Sequence, residues 1–128
     1  MGNTLIYVFL FILIAWFIYK QFTPVKGLQS LSNIEFENEI KQRGKSIQLI
    51  DVRESHEFEQ SRIVGAVNIP LSQIKQKLGQ ISKDKSVFLY CHSGMRSKQA
   101  GRILSKNGYN AITHLNGGMM VWKGKIVK

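Results

Sequence analysis

The sequence predicts an α/β domain built on a largely parallel sheet, preceded by one membrane-spanning helix. Three observations carry this prediction. Short apolar runs alternate with stretches of helical period between Leu28 and Trp122. The run Ile47-Gln48-Leu49-Ile50-Asp51-Val52 is mostly apolar, as in a strand covered on both faces. The stretch Thr4–Tyr19 carries no charge, and every Lys, Arg, Asp and Glu lies at Lys20 or beyond.

Residues 1–22 read as the anchor, 23–27 as a linker and 28–128 as one domain. As a helix, Gly2–Tyr19 spans roughly 27 Å at about 1.5 Å per residue. That matches a hydrocarbon core of about 30 Å once Lys20 and Gln21 snorkel, and Tyr7, Trp16 and Tyr19 suit the interfaces. A cleaved signal peptide wants a basic start and a small-x-small site, and neither is present. A core helix would show a polar face, and this one has none. Gly2 lacks the Ser or Thr at position 6 that myristoylation needs, since Ile6 stands there. Lys20 and Lys26 follow the helix, so the positive-inside rule predicts a single-pass protein of the cell membrane with its N-terminus outside and its domain in the cytoplasm.

Pro24 and Gly27 mark the linker. Leu28–Leu31 reads as a first strand. Ser32-Asn33-Ile34-Glu35 has the form of a capping box and opens a helix to about Arg43, with Ile34, Phe36 and Ile40 inward; Gly44 ends it. The strand Ile47–Val52 is followed by a short helix over Ser55–Gln60. Gly65–Pro70 reads as a short strand closed by proline, and Leu71, Ile74 and Leu78 as a helical face ending at Gly79. Val87–Tyr90 is a buried strand, Arg96–Lys106 a helix with Ala100, Ile103 and Leu104 inward, stopped by Asn107-Gly108. Ala111–Leu115 is the last strand, and Met119–Trp122 a last helical turn.

Charge is uneven. Up to Gln60 there are six basic and seven acidic residues; from Ser61 onward there are twelve basic residues and only Asp84. A basic half attracts small anions or anionic headgroups. The bases are not interleaved with aromatics and match no groove-reading motif, so nucleic acid is not expected. His56, His92 and His114 are scattered and no Cys/His cluster has zinc spacing, so neither a metal nor a cofactor is expected.

The only cysteine, Cys91, opens the run Cys91-His92-Ser93-Gly94-Met95-Arg96-Ser97 between a strand and a helix. A lone cysteine is commonly a buried structural residue. This loop composition argues instead for an exposed sulfur, with backbone N–H groups, the helix N-terminus and Arg96, Lys98 and Arg102 favouring the thiolate. A reducing cytoplasm suits such a thiol. Gly94 is needed if the loop turns through positive φ. Cysteine phosphatases use Cys-x5-Arg, whereas here Arg96 is the fifth residue after Cys91, a shorter loop that fits a sulfur atom better than a phosphoryl group.

Taken together, Leu49-Ile50-Asp51-Val52-Arg53-Glu54, Gly65-Ala66-Val67-Asn68-Ile69-Pro70, Cys91-x-x-Gly94-x-Arg96-Ser97 and Leu115-Asn116-Gly117-Gly118 with Trp122 closely resemble the rhodanese family of sulfurtransferases, over about Leu28–Trp122. The resemblance implies a rhodanese-like fold with a sheet of about five strands. It implies that Cys91 takes a sulfane sulfur from a donor such as thiosulfate, a persulfide or a polysulfide, holds it as a persulfide, and passes it to a thiophilic acceptor. His92, Ser93, Gly94, Met95, Arg96 and Ser97 would cradle that persulfide, with Arg96 binding an anionic donor or buttressing the loop. Asp51 and Arg53 would flank the pocket; Asp51 is expected either to pair with Arg96 or cap loop amides, or to hold the strand–helix turn. Relatives usually read Gly-His-Ile where this chain has Ser61-Arg62-Ile63, which places an extra guanidinium at the rim. The alternative reading is a sulfur carrier or regulatory module serving one protein partner.

Overall fold

Gly2–Phe22 forms one continuous helix, α1, in the computed structural model, which describes residues 2–128. It is long and apolar enough to cross a membrane, and none of its residues is buried against the domain. Its C-terminal end is fastened to the domain. Lys98 Nζ donates to the Gln21 carbonyl at 2.9 Å, and Arg102 Nη2 donates to the carbonyls of Lys20 and Gln21 at 3.0 and 3.1 Å. Cations there satisfy the free carbonyls and the negative end of the helix dipole.

The domain contributes strands β1 (Leu28–Leu31), β2 (Ile47–Asp51), β3 (Arg62–Ile63), β4 (Val67–Asn68), β5 (Ser86–Tyr90), β6 (Ile112–Leu115) and β7 (Ile126–Val127). Its helices are α2 (Asn33–Arg43), α3 (Ser55–Gln60) and α4 (Met95–Lys106). Five strands form one sheet in the order β1-β6-β5-β2-β4, with every pair parallel. The predicted α/β class with a parallel five-stranded sheet is therefore the observed one.

Apolar residues on both faces of the central strands explain why β2 and β5 read as near-continuous apolar runs. Ile50, Val87, Leu89 and Ile112 pack beneath Ala100 and Leu104 of α4. Leu49, Phe88 and Leu115 pack beneath Phe36 of α2, whose ring lies 5.2 Å from Phe88 and edge-on to Trp122 at 6.1 Å. The Ser32 hydroxyl accepts from Glu35 N at 3.3 Å and starts α2 as its cap.

The structure corrects several details. Ile34 points to solvent at 69% exposure; two residues before Phe36, it is turned some 200° away on the helix. The Leu71–Leu78 stretch is two 3₁₀ turns, Leu71–Gln73 and Leu78–Gln80, rather than a helix. Their bonds close over three residues, Ile74 N to Leu71 O and Ile81 N to Leu78 O, which lets Ile74 drop fully into the core. Strand pairing between Gly65 and Pro70 is limited to Val67–Asn68, because Gly65 turns the chain at φ +87° and proline has no N–H to extend the ladder. Arg62-Ile63 is a short strand, paired antiparallel with Ile126-Val127.

Candidate active site

The register aligns Asp51 with Tyr90 and Leu89 with His114, so the carboxyl ends of β2, β5 and β6 converge. Ligands bind at such edges in open parallel sheets. Cys91 is the residue after β5, and Gly94 is the N-cap of α4 in the left-handed region at φ +103°. The loop from Cys91 to Arg96 curls over its own sulfur. Gly94 N donates to Cys91 Sγ at 3.0 Å and Ser97 N at 3.4 Å. The first-turn amides of a helix have no carbonyl partner within it, so these donors are free to serve an anionic sulfur.

One expectation is corrected here, and one open choice is decided. The sulfur is not exposed: Cys91 is fully buried, lying beneath the loop while His92, Ser93 and Met95 face outward. The reason is the curl itself, since aiming Gly94 N and Ser97 N at Sγ closes the loop over it. Nor does Asp51 pair with Arg96. Asp51 takes Arg53 as its partner, with Arg53 Nη2 at 2.7 Å and Arg53 Nε at 3.0 Å from both carboxylate oxygens, and Arg53 N donates to Asp51 Oδ1 at 2.9 Å. The short two-residue separation lets the carboxylate close on its own turn, so Asp51 holds the strand–helix turn. Arg53 Nη2 also donates to Ser61 O at 2.6 Å, and Asn68 Nδ2 donates to the carbonyls of both Asp51 and Arg53. Burial opposes the Arg53 charge, but the bonds and the attraction to Asp51 outweigh it and raise its pKa.

Arg96 is held instead by Glu57 of α3, through Nη1 to Oε1 at 2.8 Å and Nη2 to Oε2 at 3.1 Å. The fork-to-fork geometry fixes the guanidinium plane. Hydrogen bonding from Arg96 holds the Glu57 carboxyl at about 2, well below its ordinary 4.5, and raises Arg96 in turn. The pair ties Arg96, at the start of α4, to α3. Arg62 lies over the Phe58 ring at 4.7 Å and donates to the Phe58 carbonyl at 3.3 Å.

Several participants were missed by sequence reasoning. Glu57 carried no signal beyond being an acid on a short helix. Gly118, at φ +59°, lies so close to the Cys91 and His92 carbonyls that a Cβ there would overlap them. Met119 N donates to Cys91 O at 2.9 Å and Met120 N to His92 O at 3.1 Å, which pins the start of the loop. The Gly117-Gly118 pair was the available clue. Tyr90 donates nothing to the sulfur; its hydroxyl accepts from Ile63 N at 3.1 Å, and burial, aided by Asp51, pushes its pKa up. His114, set aside as scattered, is buried and lies 3.0 Å from Ser97 Oγ through Nδ1. Among the described residues no group of His, Cys, Asp and Glu has the placement to hold a metal ion.

A buried sulfur under two amide donors at a sheet's carboxyl edge is what the known relatives can be compared with. The chain is 43% identical over 118 residues to the uncharacterized protein YqhL of Bacillus subtilis, covering 92% of this chain and 87% of that one. It is 35% identical to the putative sulfur carrier protein YrkF of Bacillus subtilis, over 63% of this chain and 44% of that protein. It is 39% identical to the thiosulfate sulfurtransferase PspE of Escherichia coli, over 53% of this chain and 67% of PspE. Among solved structures, the rhodanese-like domain protein of Staphylococcus aureus superimposes with a TM-score of 0.68 at 28% identity, covering 76% of this chain and 93% of that one. Residues 33–125 match the rhodanese-like domain, and the chain belongs to that family.

Proposed function

We propose that this protein is a membrane-anchored sulfurtransferase that moves a sulfane sulfur from a small donor to a thiophilic acceptor through a persulfide on Cys91. The carrying observation is the pair of amide donors, Gly94 N and Ser97 N, on one buried sulfur. The Cys91 thiolate attacks the outer sulfur of a donor such as thiosulfate, a persulfide or a polysulfide, and the donor's remaining part leaves with the electron pair of its broken bond. The acceptor nucleophile then attacks the outer sulfur of the persulfide and returns Cys91 as thiolate. Gly94 and Ser97 amides stabilise the anionic sulfur at both ends of the cycle. Arg96, tied to Glu57, keeps the loop in shape while the sulfur changes size. Similarity to a thiosulfate sulfurtransferase supports this reading.

The anchor belongs to the same proposal. α1 spans the cell membrane once, with the N-terminus outside and the domain in the cytoplasm, supported by its length, its apolar composition and Lys20 and Lys26 at its inner end. Protease accessibility of the domain in intact and opened membrane vesicles tests the orientation.

Mass spectrometry of the protein incubated with thiosulfate tests the chemistry. A gain of about 32 Da, one sulfur atom, is expected and is lost in Cys91→Ala. Full thiosulfate:cyanide activity in Cys91→Ser would overturn the mechanism. A second reading, a carrier that hands its persulfide to one protein partner, is favoured by the similarity to a putative sulfur carrier protein. Slow turnover with small acceptors, combined with rapid persulfide transfer to a co-purifying membrane protein, selects that reading.

A further inference from the structure

A line of polar atoms leads from the sulfur through α4 and β6 to the edge strand β1. Cys91 Sγ lies 3.6 Å from Ser97 Oγ, Ser97 Oγ lies 3.0 Å from His114 Nδ1, and His114 Nε2 lies 2.7 Å from Ser30 Oγ. Cys91, Ser97 and His114 are buried, whereas Ser30 is exposed on the edge strand β1. Ser30 and His114 line a groove of about 640 Å³ that also touches Gly94, Met95 and Lys98. Thiol, hydroxyl, imidazole and hydroxyl therefore connect a closed sulfur to an open surface.

We propose that His114 is a positioning residue for Cys91: donating from Nδ1 to Ser97 Oγ, it frees the Ser97 hydroxyl proton for the sulfur, and with Ser30 it completes a relay that carries the thiol proton to water in the groove. This deepens the sulfurtransferase reading and rests on Cys91 being its reactive thiol.

The protons balance along the line. In the thiol form Sγ–H donates to Ser97 Oγ, Ser97 O–H to His114 Nδ1, and His114 Nε2–H to Ser30 Oγ. On ionisation each proton moves one place. Sγ gives its proton to Ser97, Ser97 gives its own to Nδ1, Nε2 gives its proton to Ser30, and Ser30 gives its own to a groove water, which leaves as hydronium. The imidazole ends in its other tautomer and is neutral at both ends. Ser97 O–H then points back to the thiolate, with His114 Nδ1–H and Ser30 O–H holding the reversed chain. Ser97 Oγ also donates to the Gly94 carbonyl at 3.1 Å; with Nδ1 as donor, the hydroxyl proton is shared between that carbonyl and the sulfur rather than spent on the ring.

The surroundings keep the ring neutral. Burial, with Lys98 adding repulsion, holds His114 at about 4, so it crosses neutral pH without charging. The charged groups facing the relay are Lys98 on the side of the ring and Arg96 on the side of the sulfur, with Arg96 bound to Glu57 and the Asp51–Arg53 pair beyond it. None accepts the thiol proton by a direct hydrogen bond.

Iodoacetamide alkylation of Cys91, followed against pH on the full chain in detergent, reads this without relying on sulfur transfer. His114→Leu is expected to slow alkylation at pH 7 by about tenfold, the loss of one hydrogen bond to a charged group, and to recover as the pH rises. His114→Asn, which keeps a donor near the Nδ1 position but cannot pass a proton on, is expected to keep the pH midpoint of alkylation and so reads the positioning role alone. An unchanged pH profile in a folded His114→Leu, or a midpoint in the Asn variant shifted as far as in His114→Leu, overturns that role. Nitrogen-15 spectra of the unaltered protein provide a test needing no variant: His114 is expected to change from the Nε2–H to the Nδ1–H tautomer as the thiol ionises. A single tautomer throughout overturns the relay. Absence of a persulfide with these results intact would refute the sulfurtransferase reading and leave the relay standing.

Discussion

Arg96 of the loop helix and Glu57 of α3 grip each other through two parallel hydrogen bonds of 2.8 and 3.1 Å, although 39 residues separate them in sequence. The pair braces the start of α4 from α3, whereas His114 reaches Ser97 from β6. It also ties the guanidinium, for which the sequence left open binding a donor anion or buttressing the loop, to a partner within the protein.

Glu57→Gln is expected to lower thiosulfate:cyanide turnover by about tenfold, since loosening of a reactive loop by a fraction of an ångström carries costs of that order. The pH dependence has a definite sign. The carboxyl sits at about 2 in the folded chain against 4.5 unfolded, so the pair's stabilisation is present above pH 4.5 and is lost as pH falls toward 2. Urea unfolding across that window is expected to show the loss in the unaltered protein and a flatter slope in Glu57→Gln.

Asp51→Ala strands the buried Arg53 without a partner. Breaking one half of a buried ion pair costs about 3–5 kcal/mol, and Arg53 has a side chain only 6% exposed. The midpoint of thermal unfolding is expected to fall sharply. Asp51→Ala combined with Arg53→Met removes both charges and is expected to recover most of the loss.

Gly118→Ala tests the wall behind the loop. A methyl group there meets the Cys91 and His92 carbonyls, and the residue would also be held at φ +59°. A loss of about 2–4 kcal/mol in stability and nearly all activity is expected, because the carbonyls must shift with the loop. Gly79→Ala, where a Cβ meets nothing within 4 Å, is the control and is expected to leave both nearly unchanged.

His114 makes the protein sensitive to mild acid. Its ring sits at about 4 when folded and at 6.5 when unfolded, so the unfolded chain binds the extra proton first. Stability is expected to be full above pH 6.5 and to decline as pH falls toward 4. His114→Asn is expected to flatten this part of the curve in chemical denaturation.

Most of the strand and helix order was legible because burial leaves a period in the chain. β2 and β5 are apolar on both faces, and Ser32 followed by Glu35 marks the start of α2 in sequence and in structure alike. Elements whose partner lies far away were harder to read. Arg62-Ile63 becomes a strand only through Ile126-Val127, and neither dipeptide has a period of its own. The same holds at the site. Cys91, Gly94 and Ser97 lie within one loop and can be read from it, whereas Glu57, Gly118 and His114 reach that loop from three other segments.

By itself, then, the sequence determined the alternation of elements, the apolar N-terminal helix, and a single cysteine on a glycine-containing turn between a buried strand and a helix. These are local properties, set by periodicity, charge and the φ angles that glycine permits. Only the tertiary structure decided that the sulfur is closed over rather than exposed, that Asp51 serves its own turn, that Arg96 belongs to Glu57, and that a buried histidine stands behind Ser97. Those outcomes depend on which strand ends the sheet order brings together. Parallel pairing of β2, β5 and β6 converges their carboxyl ends, and side chains distant in sequence then compete for the same hydrogen bonds on geometry alone.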